Sequence, residues 1–160
     1  MRKTFFLCSL ILVAVALPAL LLGCGSSNST TVNTPQGNLN IQSGDQAPTE
    51  AQLGAPIYPG AQYVAGSGTS YTLNDGSGTS GASGSWTTSD SYDKVVSFYT
   101  GKLGQPITSS DEQGRVAVWL QSTDQSISTV TAKENSPESG KVAIEIGMMS
   151  GTNLNGVPGP

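Results

Sequence analysis

The chain has 160 residues, of which 7 are Lys or Arg, 11 are Asp or Glu and none is His, giving a formal net charge of -4. A mildly acidic chain with scattered cations has no electrostatic footprint for a polyanion, so nucleic acid is not an expected partner. Without histidine there is no Ser-His-Asp or Cys-His catalysis and no His-ligated zinc.

The first elements are those of an exported protein. Met1-Arg2-Lys3 is a short cationic start and Phe5–Leu22 is an apolar stretch broken by Cys8, Ser9 and Pro18. It ends in Leu21-Leu22-Gly23-Cys24, after which the sequence turns abruptly polar. This order is that of a secretory signal peptide over residues 1–23. The tetrapeptide resembles the bacterial lipobox, which implies cleavage before Cys24 and a diacylglyceryl group on its sulfur. An uncleaved anchor is the alternative, since eighteen apolar residues approach a bilayer span; Pro18 and the placement of Cys24 favour the lipoprotein. Cys8 would leave with the signal segment, so Cys24 would be the remaining cysteine and could form no internal disulfide. Two acyl chains suffice for stable membrane attachment. The expected location is the cell envelope: the outer membrane if the host has one, because Gly25 is not the retention aspartate of enteric lipoproteins, and otherwise the outer face of the cytoplasmic membrane. Loss of Arg2 and Lys3 would leave five cations against the 11 acidic residues.

Residues 24–48 carry one charge, Asp45, and are dominated by Asn, Ser, Thr, Gln and Gly. They read as a flexible tether, with a compact domain expected over 49–149 and a loose tail over 150–160. Thr49 is an N-cap for one helical turn that Gly54 stops. Pro56 and Pro59-Gly60 make residues 55–61 an ordered crossing without repeating structure. Gly, Ser and Thr make up most of 66–91, with Gly-Ser-Gly-Thr-Ser at 66–70 and again at 76–80. Between the copies Tyr71–Asn74 alternates as a strand, Asp75-Gly76 is a turn pair, and Gly84–Thr88 is a second strand holding Trp86.

One amphipathic helix follows. Ser91 is its N-cap and Tyr92, Val95, Val96, Tyr99 and Leu103 form its apolar stripe, with Lys102 and Gly104 closing it. Three strands come next: Arg115–Gln121, Ile127–Lys133 and Val142–Gly147. In the first, Val116, Val118 and Leu120 share one face, expected to lie under the helix, with Ala117 and Trp119 on the other. About five short strands and one helix predict an α+β fold, an antiparallel sheet covered by one main helix as a two-layer sandwich.

Leu53-Gly54-Ala55-Pro56-Ile57-Tyr58-Pro59-Gly60-Ala61, Thr88-Ser89-Asp90-Ser91 and Val95-x-x-Phe98-Tyr99 together resemble a recurring module of small bacterial envelope proteins, many of them lipoproteins. The resemblance spans about a hundred residues and implies fold and location; no activity comes with it. Where a proline follows the Asp-Ser in some members of that module, this chain has Tyr92.

Groups suited to chemistry at neutral pH are scarce. Asp90/Asp93 and Asp111/Glu112 are the closest carboxylate pairs, and helix capping and a turn already explain them. Asn74-Asp75-Gly76-Ser77-Gly78 lacks the alternating acids of a calcium loop and reads as a hairpin turn. No catalytic constellation, cofactor or metal is therefore expected. Trp119, Trp86 and Tyr71 are the candidate partner surface, since an aromatic exposed among Ser and Thr can stack on a sugar or anchor a protein. The expected function is a lipid-anchored, non-enzymatic binding or structural module contacting envelope protein or glycan. The alternative is an envelope enzyme, or enzyme subunit, acting on peptidoglycan or polysaccharide through carboxylates.

Overall fold

The computed structural model describes residues 28–35, 37–112, 114–134 and 141–151. The signal segment, Cys24, most of the 134–140 connector and the tail beyond Gly151 lie outside the described residues. Among the described residues eleven elements occur in chain order: β1 (Asn28–Thr34), β2 (Gly37–Gly44), α1 (Glu50–Leu53), β3 (Gln62–Tyr63), β4 (Gly68–Asn74), β5 (Ser80–Thr88), α2 (Tyr92–Leu103), β6 (Ile107–Asp111), β7 (Gly114–Ser122), β8 (Ser126–Lys133) and β9 (Val142–Ser150).

All nine strands join one sheet, in the order β1-β2-β4-β5-β9-β8-β7-β6, with β3 paired to β5. Every pairing is antiparallel. The protein is therefore mostly β, and the expectation of about five strands under one main helix is corrected. Two short helices, α1 and α2, share the cover of one face with the 54–61 crossing. The expected tether is also largely strand: β1 and β2 form a hairpin over residues that contain no charge. Nearly all of its side chains are exposed or half-buried, so burial imposed no strong apolar alternation on them.

The covered face builds the core. Across it, Trp86 sits beside Ile144, Ile144 beside Ala132, and Ala132 beside Ala117. The next row runs Gly84, Ile146, Val130, Trp119. Leu53, Val95 and Tyr99 come down onto this surface, all with no exposed area. The helix stripe is thus where the spacing predicted it, although Val96, Phe98 and Leu103 are only partly buried.

The face of β7 is inverted relative to expectation. Ala117 and Trp119 are the residues under α2, at 0% and 1% exposure, while Val116, Val118 and Leu120 are half-buried on the side away from the helices. The reason is steric. A helix approaches a strand closely over alanine, and a single tryptophan then fills the space at the helix end. Trp119 Nε1 donates to the Gly104 carbonyl at 3.1 Å, just past the end of α2. The Tyr99 ring lies 5.2 Å from that of Trp119.

α1 is a complete capping box: the Thr49 hydroxyl accepts from Gln52 N, and Gln52 Oε1 accepts from Thr49 N at 2.9 Å. Gly54 ends it in a left-handed conformation, φ 61°, which glycine adopts without the steric cost of a Cβ. At α2, Ser91 occupies the N-cap position but its side chain makes no capping hydrogen bond.

Candidate functional site

The crossing, the 88–91 segment and the start of α2 meet in space. Tyr58, from the 54–61 crossing, donates to Asp90 Oδ2 at 2.8 Å, and its ring is edge-on to Phe98 at 5.2 Å. The Thr88 hydroxyl accepts from Asp90 N at 3.2 Å. Lys94 closes the cluster with an ion pair to Asp90 at 3.1 Å, one helical turn along. The Tyr58 hydroxyl, then Lys94, hold the Asp90 carboxyl below the usual carboxylate range. Burial, then the bond to Asp90, pushes the Tyr58 hydroxyl up. At neutral pH this leaves an ionised carboxylate already occupied by donors beside a tyrosine that keeps its proton. Neither is poised to exchange protons with a substrate.

Of the other candidate carboxylates Asp93 is equally occupied, while the side chain of Asp111 lies outside the described residues. Asp93 pairs with Arg115 Nη1 at 2.7 Å. Arg115 grips Glu134 with Nε and Nη2 at 2.8 and 2.9 Å and lies 4.4 Å above the Tyr92 ring. That bidentate contact holds Glu134 below the usual carboxylate range, and the cluster ties the start of β7 to the start of α2. Glu112 is exposed. At Asp75 the carboxylate accepts from Ser77 N at 2.8 Å, the hairpin turn that the sequence suggested. Among the described residues no group of three or more His, Cys, Asp or Glu side chains converges as a metal site.

Of the three aromatic residues expected at a partner surface, two are in the core. Trp119 is 1% exposed and Trp86 3% exposed, and Trp86 packs against Tyr63 at 5.7 Å. Their burial under α1, α2 and the crossing removes them from any contact surface. Tyr71 is different. It stands on the face turned away from the helices, and its ring occupies the space that a Cβ at Gly81 would need.

That uncovered face carries the better candidate. Tyr71, Ile127 and Met149 line a shallow groove of about 350 Å³ together with Ser83, Gly147 and Thr129. Across the strands, Ile41 pairs with Tyr71, Tyr71 with Gly81, Gly81 with Met149 and Met149 with Ile127, so one apolar row crosses five strands. Met149 is 44% exposed. Ile127 reads in the sequence only as a strand residue and Met149 lies past the end of the expected last strand; their role follows from the register that sets them beside Tyr71. A second cleft of about 280 Å³ lies on the helix side where the cover stops, where the amides and hydroxyls of Asn40, Gln42, Gln52 and Ser70 meet the apolar side chains of Ala82 and Met148.

No family model, no curated protein and no solved structure matches the chain. The site therefore has to be read from its own geometry.

Proposed function

We propose that the chain is a cell-envelope protein, anchored by lipid on Cys24, that works as a non-enzymatic binding or structural module through the uncovered face of its sheet. The observation that carries the reading is the one-sided cover: among the described residues a nine-strand sheet leaves an apolar row, half-buried at Tyr71 and Ile127 and exposed at Met149, on the side without helices. An apolar strip bordered by Ser and Thr hydroxyls suits contact with another macromolecule. The carboxylate enzyme is the weaker reading, because Asp90 and Asp93 are each engaged in an ion pair, with Lys94 and Arg115 respectively.

Two measurements test it. Intact mass of the membrane-extracted protein should begin at Cys24 with added acyl mass; an unmodified Cys24 overturns the anchor. Capture from envelope extracts or on a glycan array should fall when Ile127→Asp or Met149→Asp charges the groove, with zymograms on peptidoglycan and polysaccharide remaining blank. A cleared zymogram lost on Asp90→Asn would replace the binding reading with the enzymatic one.

A further inference from the structure

The two outer edges of the sheet are built differently. β6 is five residues long, follows Pro106 and ends in Asp111 with Glu112 behind it, so proline and charge guard it. β1 is seven residues long and contains no proline, lysine or acid. It pairs with β2 along its whole length without a bulge. Among the described residues no strand lies on its other side, and an edge left this open is a template for another strand.

The register says which groups are offered. Thr34 pairs with Gly37 and closes the hairpin; the pair closing so short a connection exchanges its N–H and C=O groups, and the pattern alternates along the strand. Thr34, Val32 and Thr30 thus direct their main-chain groups to β2, while Asn33, Thr31 and Ser29 direct theirs outward. The side-chain bond from Thr31 Oγ1 to Asn40 Oδ1, 2.7 Å, agrees: Thr31 and Asn40 are a close, non-bonded pair.

We propose that the occupant of this edge is a second copy of the chain, paired antiparallel through β1 about a two-fold axis at Thr31. In that register Thr31 faces Thr31 of the second copy and Ser29 faces its Asn33, so all six outward N–H groups of the two strands find carbonyls. Every residue keeps its face, and Thr30 comes to lie beside Val32. No charge meets another. On the uncovered face the row Leu73-Leu39-Val32 of one copy continues into Thr30-Ile41-Tyr71 of the other, which covers the 44%-exposed Val32 and joins the two apolar faces into one. A foreign strand would satisfy the backbone equally, but the neutral, self-matching side chains of β1 specify this chain's own sequence. The inference does not depend on the lipid anchor.

The test is the mass of the full chain in detergent, by sedimentation with the micelle subtracted, together with hydrogen exchange. A dimer whose Ser29, Thr31 and Asn33 amides exchange slowly and speed up on dilution is expected. Thr31→Pro removes an outward N–H that the isolated fold does not use, and should weaken the dimer by about tenfold or more with an unchanged circular dichroism spectrum. Thr31→Lys sets two cations face to face, and its dimer should return in high salt, which damage to the fold would not do. A monomeric wild-type chain at its highest soluble concentration, a dimer indifferent to both substitutions, or protection of the three amides by a co-purified foreign chain each overturns the proposal.

Discussion

Removing the Trp119 ring tests which face of the sheet is packed. Trp119 is 1% exposed, touches Tyr99 at 5.2 Å and donates to the Gly104 carbonyl. Trp119→Ala loses the transfer energy of a buried indole and leaves a cavity under α2, together about 3–5 kcal/mol. The lost hydrogen bond adds little, because Gly104 is exposed and water can serve its carbonyl. Against a total stability of about 5–15 kcal/mol this is roughly a fifth or more of the fold. It corresponds to roughly 10–20 °C in melting temperature for a folded region of this size. Val118→Ala, one residue away on the half-buried side, should cost no more than about 1 kcal/mol, a few degrees. Trp119→Phe should fall between the two. The assay is thermal unfolding by circular dichroism, with urea denaturation as a second probe. A Val118→Ala loss equal to or larger than that of Trp119→Ala would refute the placement of α2 over Ala117 and Trp119.

Other substitutions probe single contacts. The Tyr99 hydroxyl is buried without a well-formed hydrogen bond among the described residues, and burial raises its pKa. Tyr99→Phe should therefore leave stability unchanged or raised by up to about 1 kcal/mol, whereas Tyr58→Phe, which loses the bond to Asp90, should cost about 1 kcal/mol by urea denaturation. Gly81→Val should force the Tyr71 ring off the sheet; in a double-mutant cycle Tyr71→Ala should absorb most of the loss, and additive effects would place the ring elsewhere. Asp90 and Glu134 have folded pKa values below their unfolded ones, so their stabilisation is complete at neutral pH and is lost as pH falls through the carboxylate range, from about 5 downward. The doubly neutral variant Asp90→Asn/Glu134→Gln should show a flatter melting profile over that window. Arg115→Lys keeps the charge but not the fork onto Glu134, and should melt below wild type by a margin that shrinks in high salt.

Much of the central sheet was legible because burial writes a period into sequence. Val142, Ile144 and Ile146 alternate and do face the core, and α2 announces itself by its stripe and by Asp93 and Lys102 at its ends. The Thr49 cap and the Gly54 stop of α1 are equally plain, whereas the return bond from Gln52 that completes its capping box is seen only in the structure. The missed strands lie where burial is absent. β6 is exposed, β3 is two residues long, and β1–β2 has solvent on most of its surface. The Leu39-x-Ile41 alternation and the Thr30-x-Val32 pair were the available signals for that hairpin, weak beside the polar residues around them. The inverted face of β7 has another cause. Three branched aliphatics outweigh an alanine and a tryptophan in any hydrophobic count, yet the pairing of Ala117 with Ala132 and of Ala132 with Ile144 shows that the register with β9 decides which side the helix takes. The same error carried Trp119 and Trp86 into the expected contact surface. Only Tyr71 stands on the uncovered face, and its neighbours there are assembled by pairing between distant strands.

The position of β1 also sets how far the protein can reach. A 24-residue coil after Cys24 would have let the domain roam up to about 80 Å from its anchor. With β1 beginning at Asn28, four residue steps separate the sheet from Cys24, a contour of at most about 14 Å. A lipid on that cysteine would make the sheet a plate resting on the bilayer rather than a probe on a line. Its encounters would then be confined to molecules that diffuse within the same membrane or come down to its surface. For such a plate the collision rate is set by crowding in two dimensions, and the orientation of the sheet on the lipid decides which of its faces is ever met.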